Sequence, residues 1–315
     1  MNKITQRIKT FISELPEFGF FIAITNMLWS LIAKLPKSIG HAVMKKKHES
    51  VLRFIRKILG NDIQSDNKEC EVKHDFPSSP IWVCWLQGEE LMPDLCKTCM
   101  ESLRKHAGNH PVIIITANNF MDYCYIPQYI ISKYQQGTIK PAHFADIIRT
   151  CLLYENGGLW IDATIFVKKA LPEEIFESQY YSIKFPNTGY YITECKWSNY
   201  FLSAKPHSKW YDYVRKCFFA YLQKESLFVD YFLMDYLMRL AYDTDEQIRK
   251  DVEMIPFNNE DVLYASRLLS LPVDEEKKSV LDGSTYLFKL SWRLKPQEQV
   301  DGKQTVWSYL KQLYL

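Results

Sequence analysis

The sequence predicts an α/β fold in which a largely parallel sheet carries helices on both faces, with a helical segment at the amino terminus. From residue 80 onward, short apolar runs typical of buried strands alternate with longer segments of helical periodicity. Such alternation favours parallel strands joined by covering helices. Hydrophobic residues make up 47% and charged residues 24% of the chain, a composition that excludes a disordered or fibrous protein.

The chain divides into three parts of different composition. Its 315 residues suffice for about two domains, or for one large domain with a smaller attachment. Residues 1–59 are basic and amphipathic and predict helices, residues 60–79 are polar and predict a linker, and residues 80–315 predict the main domain. Residues 1–57 carry a net charge of +8 and the remainder carries −6, so the total of +2 is an average of two unlike parts. Neither the total nor the acidic remainder is typical of a nucleic-acid-binding protein.

The amino-terminal segment contains the longest uncharged stretch of the chain, residues 18–33. As a helix this stretch would measure about 24 Å, which is shorter than the roughly 30 Å hydrocarbon core of a bilayer, so a membrane span is not expected. Its Trp and Phe side chains, flanked by Lys and Arg, suit a helix lying on an anionic membrane surface. The alternative is a helical hairpin that packs on the main domain.

The main domain shows strand and helix patterns in turn. The β-branched run at 111–117 is typical of a buried strand, and Asn156-Gly157-Gly158 is a strong stop for the preceding helix. In chain order, strands are predicted at 81–86, 111–117, 159–167, 180–185, 190–194 and 286–292. Helices are predicted at 94–106, 127–135, 142–155, 207–224, 230–242, 259–269 and 305–315.

The eight cysteines are expected to be reduced and buried. No cleavable signal peptide is recognisable, and most of the cysteines lie within apolar runs, as expected for small hydrophobic residues in a reducing cytosol. Cys96 and Cys99 form a CxxC pair within a helical pattern. Packing within that helix and a metal or redox role are both open for this pair.

One stretch of the main domain, Asp146 to Thr164, concentrates residues typical of a polar site. Asp146 and Arg149 are three residues apart and share one face of a predicted helix. Asp162 lies near the carboxyl end of the next strand among apolar neighbours, where an unpaired carboxylate is costly. Ligands collect at such strand ends, so Asp162 is expected to contact a metal or ligand. The alternatives are a local ion pair for Asp146 and Arg149, and a turn-capping role for Asp162.

The order of motifs in this stretch resembles the capsular polysaccharide synthesis protein family. More distantly it is similar to DxD-containing glycosyltransferases such as the yeast mannosyltransferases and the large clostridial glucosylating toxins. The resemblance covers roughly residues 78–295. It rests on Ala145-Asp146-Ile-Ile-Arg149 for an (S/A)DxxR helix, on Gly157-Gly158-Leu-Trp160-Ile-Asp162-Ala-Thr164 for a glycine turn and DxD strand, and on similar motifs at 81–88, 230–236 and 287–292.

The resemblance implies a GT-A-like, Rossmann-like sheet that binds a nucleotide-diphospho-sugar. It implies catalytic roles for Asp162, Asp146, Asp230 and Asp235. The last two lie on the helix predicted at 230–242, but they are five residues apart and are expected to point in different directions. For them the alternative is a pair of solvated acids on the helix face. It implies donor contacts from Trp85, Asp146, Arg149, Gly158, Trp160, Asp162, Lys289, Ser291 and Trp292. It also implies a divalent cation, Mn²⁺ or Mg²⁺, on Asp162 and Thr164. Thr164 stands where the wider group usually has the second Asp of DxD, and its hydroxyl is a weaker, neutral ligand.

The function expected from these inferences is that of a hexosyltransferase. It would move a sugar from a UDP- or GDP-sugar to a capsular or other cell-envelope glycan, or to a lipid-linked acceptor. Its expected location is cytoplasmic, peripheral on the inner face of the bacterial plasma membrane, with no nucleic acid partner. One alternative is a catalytically inactive, membrane-attached scaffold of a polysaccharide assembly machine. Another is an aspartate-nucleophile phosphohydrolase, whose first motif needs a second Asp where Thr164 stands.

Overall fold

The computed structural model describes residues 3–60, 68 and 74–314, and it shows a mixed α/β protein. Most of the predicted linker lies outside the described residues. The helices are α1 (Lys3–Phe18), α2 (Phe20–Ile32), α3 (Lys37–Leu59), α4 (Asp94–His106), α5 (Phe120–Tyr123), α6 (Gln128–Gln135), α7 (Pro141–Glu155), α8 (Glu174–Glu177), α9 (Lys209–Lys224), α10 (Leu233–Thr244), α11 (Glu246–Met254), α12 (Glu275–Leu281) and α13 (Val306–Tyr314). The strands are β1 (Ile81–Cys84), β2 (Val112–Ile115), β3 (Gly158–Ile161), β4 (Ile165–Val167), β5 (Tyr180–Ser182), β6 (Phe201–Ala204), β7 (Leu287–Lys289), β8 (Gln299–Val300) and β9 (Lys303–Gln304).

The main sheet has five strands in the order β2-β1-β3-β6-β5. β1 pairs in parallel with β2 and β3, whereas β6 pairs antiparallel with β3 and β5. Four of the five strands therefore point in one direction and β6 is reversed. The predicted α/β class is confirmed. The sheet is largely parallel, and β6 is its one antiparallel strand.

Side-chain alternation along β1 and β3 divides the hydrophobic core in two. Trp82 and Trp160 belong to a core that also contains residues of α3, α6, α7, α9 and α10. Ile81 and Leu159 belong to a second core with residues of α4, β4, β7 and α13. Because neighbouring residues of a strand face opposite sides, each face of the sheet contributes to one core. The prediction of helices on both faces is confirmed.

The strand predicted at 159–167 is interrupted at Asp162 to Thr164. The Asp162 backbone N–H donates to the Tyr200 carbonyl at 3.0 Å, and the Asp162 carbonyl accepts from the Ile165 N–H at 2.9 Å. This turn ends β3 and redirects the chain into β4, which pairs with β7 in a separate two-stranded sheet. The single predicted strand is therefore wrong, because a tight turn occupies its centre.

Two other predicted elements are also wrong, and the helix predicted at 230–242 begins later than expected; local backbone geometry gives the reasons. Residues 190–194 form a turn, because Glu194 and Cys195 adopt φ values of 51° and 60° that a strand does not accommodate. Residues 259–269 contain only a short 3₁₀ turn, and Asn259 at its start has φ 50°. Asp230 lies in the turn before α10, where its Oδ1 accepts from the Phe232 N–H at 2.8 Å, so Asp230 and Asp235 do not share a helix.

The amino-terminal helices share a core with the main domain. α1 and α2 form a hairpin, in which Asn26 Nδ2 donates to Glu14 at 3.0 Å and to the Val229 carbonyl at 2.9 Å. α3 buries Val51 and Ile55 in the core that contains α9 and α10. In the described part of the chain, no helix is both long enough and apolar enough to cross a membrane.

The CxxC pair lies within α4 as the helical pattern predicts. Cys96 and Cys99 are both buried and carry free thiols. Burial raises the pKa of the Cys96 thiol to about 11. These features favour the packing interpretation of the pair over a reactive thiolate.

Gly158 at the start of β3 offers a test of the local packing. Its φ is 86°, and an added Cβ would overlap the backbone oxygen of Pro80. We expect Gly158→Ala to lower the free energy of unfolding by about 3 kcal/mol or more, because backbone strain and overlap add. Gly108→Ala is the matched control, since Gly108 has φ 62° but open space around it, and we expect a loss of about 1 kcal/mol. Equal losses in urea unfolding would refute the close approach to Pro80.

Candidate functional site

The candidate site lies where the carboxyl ends of β1 and β3 meet. Cys84 ends β1, and Asp162 directly follows β3. Burial raises the pKa of Cys84 to about 12, and Arg149, Asp162 and Asp146 are close enough to contribute to this shift. The same strand edge therefore receives Asp146 and Arg149 from α7, as the sequence predicts.

Arg149 connects the acidic residues of this site. Its Nη2 lies 3.3 Å from Asp146 Oδ1 and 3.5 Å from Asp162 Oδ1, and its Nη1 donates to the Asn199 carbonyl at 2.5 Å. The guanidinium also lies over the Trp160 ring, 4.6 Å from its centroid. Only 7% of the Arg149 side chain is exposed. The local ion pair with Asp146 is thus present, and it is one part of a larger network.

The carboxylate of Asp162 is held by three donors or cations. Oδ1 accepts from Trp160 Nε1 at 3.1 Å and faces Arg149, while Oδ2 lies 2.7 Å from Lys289 Nζ. Burial opposes ionisation of Asp162, but Lys289 and Arg149 outweigh it and hold its pKa below the usual value. The side chain therefore serves this network as an anion, and only the backbone of Asp162 takes part in the turn.

Lys289 reaches Asp162 through the β4–β7 strand pair. Lys289 stands opposite Ile165 in the register, and its Nζ donates to Thr164 Oγ1 at 2.6 Å. The ammonium also lies 5.4 Å from the centroid of the Tyr200 ring. The structure thus brings together Asp146, Arg149, Asp162, Thr164 and Lys289, which we call the Asp162 cluster.

The Asp162 cluster does not fit the divalent cation implied by the DxD resemblance. Mg²⁺ takes six oxygen ligands in near-octahedral geometry, usually one or two carboxylates together with waters and substrate phosphates. The two side-chain oxygens implied as ligands, Asp162 Oδ2 and Thr164 Oγ1, both contact the Lys289 ammonium. Across the described residues, no group of three or more His, Cys, Asp or Glu side chains is arranged to hold a metal ion.

The remaining implied donor contacts occupy different places. Trp85 follows β1 and is half-buried, and its indole Nε1 is buried without a hydrogen-bond partner among the described residues. Ser291 is half-buried and Trp292 is 49% exposed, in the segment just beyond Lys289. Trp160 is 2% exposed, so it is a buried residue that packs its ring face against Arg149 and donates its indole N–H to Asp162. Gly158 lies at the opposite end of β3 against Pro80, and the structure does not bring it to the Asp162 cluster.

Asp230 and Asp235 have separate buried partners. Asp230 Oδ2 lies 2.6 Å from Lys47 Nζ, and this ion pair joins α3 to the turn before α10. Asp235 accepts from Trp197 Nε1 at 3.0 Å and from Asn199 Nδ2 at 2.8 Å. Burial raises the pKa of Asp235 to about 7. Asp235 therefore reaches the Asp162 cluster indirectly, through the Asn199 backbone that Arg149 contacts.

The segment before β6, the strand that neighbours β3, also supports the cluster, and it was not expected from the sequence. Asn199 accepts from Arg149, and the Tyr200 carbonyl accepts from the Asp162 N–H at 3.0 Å. Both residues precede β6, a strand that the sequence analysis did not predict. The run Trp197-Ser-Asn-Tyr200 before an apolar stretch was the available signal, since polar residues at strand starts often mark turns.

Asp146 should make stability depend on pH. Its side chain is 18% exposed, and burial, partly opposed by Arg149, raises its pKa from 3.8 to about 6. A carboxyl with a raised folded-state pKa contributes stability at low pH that is lost as pH rises through that value. Relative to the natural protein, Asp146→Asn should therefore gain about 1 kcal/mol of stability between about pH 5 and about pH 8. Urea unfolding at both pH values measures this, and a pH-independent difference would contradict the shifted pKa.

Comparison with protein families gives a match over most of the chain. The family model described as "Capsular polysaccharide synthesis protein" matches residues 32–311, which include α3, the main sheet and the whole Asp162 cluster. Comparisons with curated proteins and with solved structures found no match.

Proposed function

We propose that this chain, which belongs to the capsular polysaccharide synthesis protein family, acts as a nucleotide-sugar glycosyltransferase. The family's name indicates that the reaction serves capsule biosynthesis. The observation that carries this proposal is the Asp162 cluster at the carboxyl ends of β1 and β3. Sheets of this kind bind ligands at that edge. Side chains of Asp162 and Lys289 are 29% and 24% exposed, so the cluster is open to a ligand on one side.

Glycosyl transfer from a nucleotide sugar needs charge stabilisation for the departing diphosphate. Preorganised cations in a partly dry site supply this effectively, because they need not reorient as charge develops. In our proposal Lys289 and Arg149 face the diphosphate, and Asp162 holds both cations in position. Asp146 accepts hydrogen bonds from hydroxyls of the donor sugar. The Trp85 ring at the end of β1 is half-buried, and its buried indole N–H has no partner among the described residues, so we propose this side chain as the contact for the nucleoside of the donor.

Exposed aromatic rings beside the cluster suit a glycan acceptor. Tyr231 is 65% exposed; partial burial of its hydroxyl raises its pKa, and the nearby Asp146 and Asp162 add to this rise. Trp292 is 49% exposed just beyond Lys289. Exposed rings at the rim of a polar cleft commonly mark a binding surface, and apolar sugar faces stack on such rings. We therefore propose a cell-envelope or lipid-linked glycan as acceptor.

The proposal is tested by incubating the purified protein with a panel of UDP- and GDP-sugars and measuring released nucleoside diphosphate. We expect nucleoside diphosphate to be released from at least one donor. Slow hydrolysis of the donor releases it without an acceptor, and an acceptor glycan should make the release faster.

Thr164 in place of the second Asp favours a second candidate, a scaffold that does not catalyse transfer. Calorimetry separates the two, since a protein that binds none of the donors and releases no product would support the scaffold.

The surface of the α1–α2 hairpin supports a peripheral membrane location, which we propose to be the inner face of the plasma membrane. Ile12, Phe20 and Leu31 are 62%, 64% and 56% exposed. The segment that contains them carries the net charge of +8. Apolar side chains surrounded by basic residues bind the interface of anionic bilayers.

We expect the full-length double variant Ile12→Glu/Phe20→Glu to bind anionic lipid vesicles at least about tenfold more weakly than the natural protein. The matched control is Leu91→Glu/Met254→Glu, whose parent side chains are 69% and 80% exposed on other parts of the surface. Co-sedimentation with vesicles measures both. Equal binding of the two double variants would show that the hairpin is not the attachment surface.

A further inference from the structure

Lys289 occupies the position at which the DxD resemblance implies a divalent cation. Its Nζ lies 2.7 Å from Asp162 Oδ2 and 2.6 Å from Thr164 Oγ1, the two oxygens implied as metal ligands. Strand pairing fixes this position, because Lys289 faces Ile165 and the N–H of Leu290 donates to the Thr164 carbonyl at 2.9 Å. The ammonium is therefore held between these oxygens by the fold.

The charges of the cluster are already balanced without a metal ion. Asp146 and Asp162 face Arg149 and Lys289 at distances between 2.7 and 3.5 Å. A divalent cation on Asp162 would meet the Lys289 ammonium and the Arg149 guanidinium at close range. It would have to displace at least one of them, and each displacement breaks an ion pair in a mostly buried site.

A diphosphate, in contrast, complements the donors that the cluster leaves unused. A lysine ammonium has three N–H groups, and Asp162 and Thr164 account for two of them at Lys289. The Nε of Arg149 is buried and has no partner among the described residues. Phosphate oxygens can therefore bind the remaining N–H of Lys289 while the existing ion pairs stay in place, and the Arg149 guanidinium, 3.5 Å from Asp162, adds positive charge nearby.

We infer that Lys289 replaces the divalent cation, so that this protein binds a nucleoside diphosphate and stabilises its departure without metal. The inference rests on the proposed function and specifies its chemistry. During transfer, the bond between the anomeric carbon and the diphosphate oxygen breaks, and its electron pair stays on the diphosphate beside Lys289. The acceptor oxygen bonds to the anomeric carbon and releases its proton to solvent.

Calorimetric titration of UDP and of GDP into the full-length protein tests this inference, once with excess EDTA and once with Mn²⁺. We expect one nucleoside diphosphate to bind with an affinity that differs by less than about twofold between the two conditions. Lys289→Met should weaken binding by about tenfold or more in both. The matched control is Lys196→Met, because Lys196 is 21% exposed and lies 2.8 Å from Glu253, away from the cluster, and binding should not change.

A second variant tests the replacement in the reverse direction. Thr164→Asp combined with Lys289→Met restores two carboxylates and removes the ammonium, so its binding of nucleoside diphosphate should require Mn²⁺. Binding by the natural protein that EDTA abolishes and Mn²⁺ restores would overturn the inference and leave the proposed function standing. Metal-independent binding that Lys289→Met leaves intact would also overturn it. Absence of binding under both conditions would overturn the inference and the proposed function together.

Discussion

Replacing Asp162 with asparagine is expected to lower the rate of sugar transfer by about 10²- to 10³-fold in a protein that remains folded. Asparagine keeps the shape of the side chain and still accepts the Trp160 indole N–H. It lacks the charge that holds Lys289 at 2.7 Å and attracts Arg149 at 3.5 Å. Both cations then lose the geometry in which they face the diphosphate. Release of nucleoside diphosphate at saturating donor measures the loss.

Asp243→Asn is the matched control for this variant. Asp243 lies 2.7 Å from Arg239, and Asp162 lies 2.7 Å from Lys289. The side chains of Asp243 and Asp162 are both 29% exposed. The Asp243 pair lies within α10, and Arg239 also contacts Glu194 in the neighbouring turn, apart from the Asp162 cluster. We expect this control to retain the natural rate. A similar loss in both variants, or full activity in Asp162→Asn, would contradict the role given to Asp162.

Arg149→Met should give the largest loss of stability, about 3 to 5 kcal/mol. Methionine fills a similar volume beside Trp160 but removes the cation from between Asp146 and Asp162. Two carboxylates in a mostly buried site then lack their shared partner, and the Asn199 carbonyl loses its 2.5 Å donor. Urea unfolding measures the change in the free energy of unfolding.

Pairing this substitution with Asp146→Asn distinguishes a charge effect from a packing effect. If the loss comes from uncompensated charge, Asp146→Asn/Arg149→Met should be less destabilised than the sum of the single variants, by at least about 1 kcal/mol. Arg149→Lys should recover part of the stability, because a lysine supplies charge but not the forked geometry that reaches three acceptors. Additive single effects would assign the loss to packing alone.

The parts of this site that could be predicted from the sequence depend on local geometry. Asp146 and Arg149 are three residues apart, and helix periodicity alone puts them on one face. Asp162 could be assigned to a strand end because a carboxylate within an apolar run needs partners. The structure confirms the helix and the ion pair between Asp146 and Arg149, and it adds the approach of Arg149 to Asp162, which the sequence did not indicate.

The parts that could not be predicted depend on contacts distant in sequence. Lys289 meets Asp162 across 127 residues, and the family resemblance implied a donor contact for Lys289 but not this ion pair. Asn199 and Tyr200 were missed because no strand was predicted at β6, and the strand predicted nearby at 190–194 is a turn in which Glu194 has a positive φ. Asp230 was assigned a helical position because its hydrophobic neighbours show helical periodicity, but its side chain accepts a turn hydrogen bond and pairs with Lys47.

The most direct test of Lys289 as the diphosphate-binding cation is a structure of the complex with a nucleoside diphosphate. The ligand is the nucleoside diphosphate that the accepted donor releases. We expect diphosphate oxygens to lie within hydrogen-bond distance of Lys289 Nζ, about 2.7 to 3.2 Å, at the carboxyl ends of β1 and β3. We also expect that Asp162 keeps its contact with Lys289 and that the base lies beside Trp85. A diphosphate bound elsewhere, with Lys289 and Arg149 paired only to Asp162 and Asp146, would contradict the account.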